Sequence, residues 1–257
     1  MRALVTGAGG RLGAAMAEEL AAAGHDVAIH YAASAEGAER TAEAVRAHGR
    51  RAETVQADLL DLDACEALLP EAAARMGGPF DVLVNNASIF EHDTLATATR
   101  ESWERHMVSN LQAPFLLLQA FAAQAPAPGA ADGEPVARAS VVNLIDQRVR
   151  KLTPEFMTYT LAKSALWTLT RTAAMALAPA VRVNAIGPGP TLRGHRQSEA
   201  HFAAQRDATI LRRGADAQGI RDALRYLLTA RAVTGQLICV DGGQHLAWRT
   251  PDVLGVE

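Results

Sequence analysis

Cysteine is almost missing from this chain. Its two thiols, Cys65 and Cys239, lie far apart and neither sits in a ligand-spaced cluster. A disulfide scaffold and a cysteine-built metal site are thereby excluded, and free, buried thiols in a reducing setting are expected. No metal is called for. Excess charge of either sign is absent too: the net charge is −3, so nothing suggests a surface for nucleic acid or acidic membrane, and neither partner is expected. No apolar run approaches the length of a membrane span. The first residues, "MRALVTGAGG", run straight into a strand with no signal peptide, so a cytoplasmic protein is expected. Internal repeats are also lacking.

What is present is a chain of 257 residues, 49% of them hydrophobic and 21% charged, enough for one large α/β domain with a sizeable core. Short β-branched or apolar runs alternate with Ala-rich helical stretches. The strands expected are "RALVT", "DVAIHY", "AETVQAD", "FDVLVNNA", "ASVVNLI", "VRVNAIGPG" and "GQLICVDGG". Between them the helical period predicts Leu12 to Ala23, Ser34 to His48, Leu62 to Met76, Glu101 to Gln124, Pro154 to Leu177 and Ala217 to Leu228. This alternation predicts a parallel sheet with helices on both faces, doubly wound by default. "APAPGAADGEP", Ala125 to Pro135, reads as an exposed loop, and Gly187 to Asp207 as a substrate lid.

"TGAGGRLG", Thr6 to Gly13, joins the first strand to the first helix. That position offers an anion the open N–H groups and positive dipole end of a helix. Gly7 permits the tight turn, and Gly13 the close approach of helix, strand or pyrophosphate. The second strand ends in "IHYAAS" without Asp or Glu. An acid there binds the ribose 2′-OH and repels a 2′-phosphate, so its absence favours NADPH over NADH. Ser34 is placed either to donate to that phosphate or to cap the helix it precedes. Arg11 adds a positive charge, and Asp58, ending the third strand, is a candidate acceptor for the adenine amino group. "NNA", Asn85 to Ala87, ends the fourth strand at the edge where such sheets bind ligands.

Tyr159 and Lys163 form Y-x-x-x-K, one helical turn apart and on one face. An ammonium about 5 Å from a phenol, at an effective dielectric near 20, favours the phenolate by about 3 kcal/mol. The expectation is a tyrosine pKa lowered by roughly two units, toward the range useful for proton transfer.

T-G-x-x-x-x-x-G, N-N-A, the helical Asn110, Y-x-x-x-K, "GPG" and "VDGG" occur in this order over nearly the whole chain. Together they resemble the short-chain dehydrogenase/reductase family. The resemblance implies one Rossmann-type NAD(P)-binding domain over residues 1–257 with a sheet of about seven strands, a substrate lid at 187–207, nicotinamide hydride transfer and a homotetramer. Its packing helices are then Glu101 to Gln124 and Pro154 to Leu177. It makes Tyr159 and Lys163 the catalytic pair and Asn110 the proton-relay asparagine, positioning a water. The cofactor edge it implies comprises Gly7, Arg11, Leu12 and Gly13, then His30 and Ser34, Asp58 and Leu59, Asn86 and Ala87, Lys163, and finally Pro188 and Gly189.

One departure is informative. Most members carry serine thirteen residues before the tyrosine, whereas here "NLID" places Asp146. A serine offers a neutral hydrogen bond to a carbonyl; a carboxyl group can also hold a proton for a ring nitrogen. The pattern resembles the pteridine reductase branch, in which Asp, Tyr and Lys act together. Arg11 in place of the usual second glycine, and Ser88 and Phe90 in "NNASIF", agree with it. That branch implies a pterin stacked between nicotinamide and Phe90, with Arg11 and Ser88 at its edge. Ala33 stands where the branch has an arginine for the 2′-phosphate. Phe90 as core, Asp146 as a loop brace and Arg11 as a pyrophosphate ligand only are the plain alternatives. Histidines 92, 106, 195, 201 and 245 read as surface or loop residues, with His195 and His201 on the lid. The functional alternatives are a general carbonyl or 3-oxoacyl reductase and a non-catalytic NADP-binding regulatory protein.

Overall fold

The computed structural model describes residues 1–194 and 197–248; the expectation for His195 therefore lies outside the described residues. In chain order the elements are β1 (Arg2–Val5), α1 (Arg11–Ala22), β2 (Asp26–Tyr31), α2 (Ala35–Ala47), β3 (Ala52–Gln56), α3 (Leu62–Met76) and β4 (Val82–Asn85). They continue as α4 (Arg100–Met107), a π-helical turn (Val108–Gln112), α5 (Ala113–Gln124), β5 (Gly129–Ala131), β6 (Glu134–Val136) and β7 (Ala139–Leu144). A 3-10 turn (Gln147–Val149), α6 (Met157–Leu177), β8 (Val181–Pro188), α7 (Glu199–Asp207), α8 (Ala217–Thr229), β9 (Leu237–Val240) and a 3-10 turn (Gln244–Leu246) complete the elements of the described residues.

Seven strands form one sheet in the order β3-β2-β1-β4-β7-β8-β9, and every pairing in it is parallel. Two-residue alternation sends Ala3 and Val5 of β1 to one face and Leu4 to the other. The first face packs against Met16 and Leu20 of α1, Val45 of α2 and Leu224 of α8. The second packs against Leu68 of α3 and Leu117 and Phe121 of α5. The chain reverses its direction of sheet growth between β1 and β4, so their carboxyl ends open a crevice. The doubly wound, Rossmann-type sheet is thus as expected.

Local chemistry explains the boundaries. Asp61 caps α3 by accepting from the N–H groups of Asp63 and Ala64, and Gly77, at φ 73°, closes it. Three expectations need correction. The loop Ala125 to Pro135 contains the antiparallel hairpin β5–β6. Its two-residue turn, Asp132 and Gly133, has positive φ at both positions, the geometry Asp-Gly favours. The single helix Glu101 to Gln124 is interrupted at Val108–Gln112. Pro114 has no N–H for the carbonyl of Asn110, and the helix widens there, with Ala113 donating to Val108 five residues back. The helix expected from Pro154 is α6, and it begins at Met157, because Phe156 is left-handed at φ 57° and ψ 49°.

No helix among the described residues is long and apolar enough to cross a membrane. Both cysteines are free; Cys65 is buried and Cys239 half-buried.

Candidate active site

The glycine loop is built by contacts from three strand ends. Gly7, at φ 62°, lies against Ala87: a Cβ on Gly7 would meet the Ala87 Cα at 2.9 Å. Asn86 donates through Nδ2 to the carbonyls of Thr6 and Gly7, at 2.9 and 3.1 Å, tying β4 to the loop. His30 is buried in β2 and works from below. Its Nδ1 accepts from the Gly7 N–H at 3.0 Å, and its Nε2 lies 3.0 Å from the Ala57 carbonyl. A neutral ring protonated on Nε2 satisfies both bonds, and burial holds the His30 pKa below its ordinary value. His30 is therefore placed to brace the loop; with 1% of its surface exposed, its side chain is not on the cofactor edge.

The other expected cofactor residues divide in the same way. Leu12 packs against the core and Leu59 is buried in it, so their side chains contribute packing. Asp58 is exposed, and its Oδ1 accepts from the Leu60 N–H in a local turn. Ser34 does not cap α2; its hydroxyl donates to the Gly9 carbonyl at 3.3 Å, joining the helix start to the loop. Arg11 stands at φ 52°, a left-handed conformation that costs a side-chain-bearing residue about 1 kcal/mol and that glycine adopts freely. Its guanidinium reaches the Leu192 carbonyl at 3.1 Å, linking the glycine loop to the segment after β8. Pro188 ends β8, and Gly189 donates to the Val240 carbonyl at 3.0 Å, too close to Asp241 for a Cβ.

These residues fit a dinucleotide. Among the described residues no side chain caps α1, whose N-cap is Gly10, which leaves its first-turn N–H groups open to an anion. A Cβ on Gly13 would fall 2.3 Å from the Gly7 carbonyl oxygen, which shows how tightly the loop folds over the helix start.

Beyond β7 the chemical residues converge. Asp146 divides its carboxylate: Oδ1 accepts from the Arg148 N–H at 2.8 Å, and Oδ2 accepts from the Tyr159 hydroxyl at 3.0 Å. Loop brace and tyrosine partner are thus the same residue. Burial raises the Asp146 pKa, against the opposing pull of the Arg148 N–H and charge. Tyr159 is raised well above its ordinary value, first by burial and then by the Asp146 charge, while Arg148 and a bond from the Ser88 hydroxyl pull it down. This reverses the expected downward shift. Lys163 is buried, sits 5.8 Å from the Tyr159 ring centroid and donates to the Leu144 carbonyl at 2.8 Å. Burial lowers its own pKa to about 8, opposed by the Asp146 charge. In this fold the tyrosine is held as a protonated donor aimed at a carboxylate.

Asn110 lies on the π-helical turn, fully buried. Its side chain pairs both ways with Ile89, accepting from the N–H and donating to the carbonyl, each at 2.9 Å. It fixes the backbone between Ser88 and Phe90, a positioning task in addition to the water-holding one expected. Phe90 is 48% exposed, so core packing does not describe it. Its ring stacks on Phe156 with centroids 4.3 Å apart and planes 4° apart, and meets Tyr159 at 4.7 Å and 72°.

Several functional candidates escaped the sequence reading. Asp93 caps α6: its carbonyl accepts from the N–H groups of Phe156 and Met157, and its carboxylate from the N–H and hydroxyl of Thr158. Ser102 donates to the same carboxylate at 3.1 Å. His106 is not a surface residue; it is fully buried on α4, with Nδ1 2.7 Å from the Thr158 hydroxyl and its ring centroid 6.0 Å from that of Tyr159. A lone acid in a polar loop gives no sequence signal, and the helical spacing of His106 matches no ligand pattern. His92 is exposed and pairs with Glu155, while His245 pairs with Asp241 beside the last 3-10 turn. His201 is exposed on α7, a helix of the 187–207 segment that buries none of its residues. Among the described residues no group of three His, Cys, Asp or Glu side chains could hold a metal ion.

Comparison with known proteins places this geometry. The profile of a family described as Enoyl-(Acyl carrier protein) reductase matches residues 7–245. Pteridine reductase 1 of Leishmania tarentolae is 34% identical over 95% of this chain and 96% of its own length. The 3-oxoacyl-[acyl-carrier-protein] reductase FabG of Staphylococcus aureus is 30% identical over 95% of this chain and 98% of its own. Among solved structures, FolM alternative dihydrofolate reductase 1 of Brucella canis, complexed with NADP, is 42% identical and superimposes with a TM-score of 0.90. That alignment covers 98% of this chain and 96% of the other. With its parallel seven-stranded sheet, its glycine loop and its Tyr159–Lys163 pair, the chain belongs to the short-chain dehydrogenase/reductase family.

Proposed function

We propose that this protein is an NADPH-dependent reductase of pterins or dihydropteridines. The observation that carries the reading is the Asp146–Tyr159 hydrogen bond of 3.0 Å, placed beside the half-exposed ring of Phe90. A ketone needs a neutral donor at its oxygen; a ring C=N needs a proton delivered to nitrogen and a flat surface to stack on. Asp146 and Tyr159 supply the first and Phe90 the second. NADPH, when bound, provides the hydride to the ring carbon. Tyr159 gives its proton to the adjacent nitrogen, and Asp146 orients the hydroxyl and, when protonated, returns a proton to it. Lys163 supplies positive charge beneath Tyr159 and holds the cofactor ribose. Arg11 and Ser88 contact cofactor phosphate or the pterin edge, and the segment 187–207 covers the substrate. The pteridine reductase relative and the NADP-complexed FolM neighbour support this substrate class and cofactor.

The test is NADPH oxidation by the purified protein with dihydrobiopterin and, side by side, a panel of small ketones. The expected result is a kcat/KM for the pterin at least about tenfold above that for any ketone, a margin set by the polar groups a ketone leaves unpaired. Turnover confined to ketones would instead make this a general carbonyl reductase, in keeping with its FabG relative.

The assembly proposed is a homotetramer, packed through α4, α5 and α6. Trp103, Phe115 and Leu161 on these helices are exposed, and Met107, Leu111, Phe115 and Leu169 line an apolar groove of about 340 Å³. Light scattering should give four times the chain mass of 27.2 kDa; a monomer mass would remove the proposal.

A further inference from the structure

Two residues past Asp146, Arg148 occupies an unusual position for a cation. Its guanidinium carbon lies 4.7 Å from the centroid of Phe156. Phe90 already covers one face of that ring, stacked in parallel at 4.3 Å, so the guanidinium takes the other face. Arg148, Phe156 and Phe90 therefore form a continuous column of flat groups that ends against Tyr159. Phe156 itself has a left-handed backbone, at φ 57° and ψ 49°, immediately before α6.

The Arg148 side chain is only partly satisfied. Nη1 donates to the Thr153 hydroxyl at 2.8 Å, and among the described residues no carboxylate lies within ion-pair distance of it. Glu155, the acid nearest in sequence on its carboxyl side, is engaged by His92. Arg150 and Lys151 follow in the same loop, also without an ion pair among the described residues. An arginine normally spends its fork of donors on an anion. Here the charge is half-buried, fixed by stacking and close enough to the reacting pair to act electrostatically on both Asp146 and Tyr159.

We propose that Arg148 binds an anionic side chain of the substrate, so that the favoured substrate is a pterin conjugate carrying a carboxylate on a tail that leaves the ring pocket across Phe156. The inference rests on the pterin reading of the site and narrows it. The ring of such a substrate stacks on Phe90 while its tail passes the edge of Phe156 and meets the unspent guanidinium N–H groups. A carboxylate matches that fork bidentately; a phosphate shares the oxyanion chemistry and is kept as a separate arm of the test.

The test compares kcat/KM for dihydrofolate, a phosphorylated dihydroneopterin and the neutral-tailed dihydrobiopterin in wild type, Arg148→Gln and Arg148→Lys. The expected result is that Arg148→Gln lowers the dihydrofolate-to-dihydrobiopterin ratio by about tenfold, the effect of one charge-assisted bond, and that Arg148→Lys restores part of it. Any loss common to all substrates reports the support Arg148 gives Phe156 and cancels in the ratio. An unchanged ratio overturns the proposal, and a fall in the phosphate ratio alone overturns the carboxylate assignment. Should the wild type reduce no pterin, the function reading fails by itself. The anion site is then judged by calorimetry with p-aminobenzoylglutamate and its uncharged diamide. Preference for the carboxylate that disappears in Arg148→Gln supports it; equal binding in both proteins overturns it.

Discussion

Replacing Tyr159 with Phe should lower turnover by about two to four orders of magnitude while leaving NADPH affinity within about threefold, since the hydroxyl is asked to move a proton. The variant keeps the ring and its contact with Phe90 at 4.7 Å and deletes the bond to Asp146. Asp146→Asn is the sharper experiment. An asparagine retains the shape and can still accept from the Arg148 N–H, which the Asp146 Oδ1 now does at 2.8 Å. It cannot hold a titrating proton. Turnover of a pterin should therefore fall by about a hundredfold or more in Asp146→Asn, with Arg148 and its loop undisturbed. A rate within about tenfold of wild type would reduce Asp146 to a loop brace.

The pH profile carries the same argument further. Burial raises Asp146 above the ordinary carboxylate range, so it keeps its proton to a higher pH than an exposed acid does. In the proposed reaction, protonation of a ring nitrogen would draw on that store. Turnover is then greatest on the acid side and falls as pH rises through the raised Asp146 value. In Asp146→Asn that descending limb should vanish, because the group that loses the proton is gone. Tyr159, raised first by burial and then by the Asp146 charge, stays protonated across this window and does not produce the limb. The two groups share one hydrogen bond, so the measured midpoint belongs to the pair.

Much of this was legible in the sequence because the decisive features are periodic or punctuated. The alternation of Ala3, Leu4 and Val5 between two faces and the Asp61 and Gly77 boundaries of α3 follow from local rules. The spacing of Tyr159 and Lys163 needs only a helix, and Asp146 needs only the end of β7. What escaped depends on three-dimensional bookkeeping. Lys163 looked like the charge that lowers Tyr159, yet it gives its hydrogen bond to Leu144, and burial with Asp146 decides the direction. Asp93 was invisible because it acts on α6 from a loop 65 residues away in sequence. The π turn required noticing that Pro114, harmless at a helix start, removes a donor from a longer helix. Arg148 and Phe156 become a pair only in the folded loop, where no periodic signal announces them.

The glycine loop yields the other large effect, and it tests sterics rather than chemistry. A Cβ on Gly13 would sit 2.3 Å from the Gly7 oxygen, 2.7 Å from Asn86 Nδ2 and 2.8 Å from the Ala8 Cα. None of these is the free end of a flexible chain. Asn86 Nδ2 is pinned by two carbonyls, and Gly7 is held by His30 from the other side. Gly13→Ala must push the loop off α1, break the Asn86 tie or shift the helix. Overpacking of this kind costs about 3 kcal/mol, and it falls on the segment that meets the cofactor. The expected result is a lower denaturation midpoint together with NADPH affinity weakened by about a hundredfold, since a displaced loop no longer presents its N–H groups in register. Gly10 supplies the comparison, because a Cβ there meets nothing within 4 Å. Gly10→Ala should leave the midpoint where it is. Equal midpoints for Gly13→Ala and wild type would show that the loop yields without cost, and the tight seat of the helix start would then have no part in holding the dinucleotide.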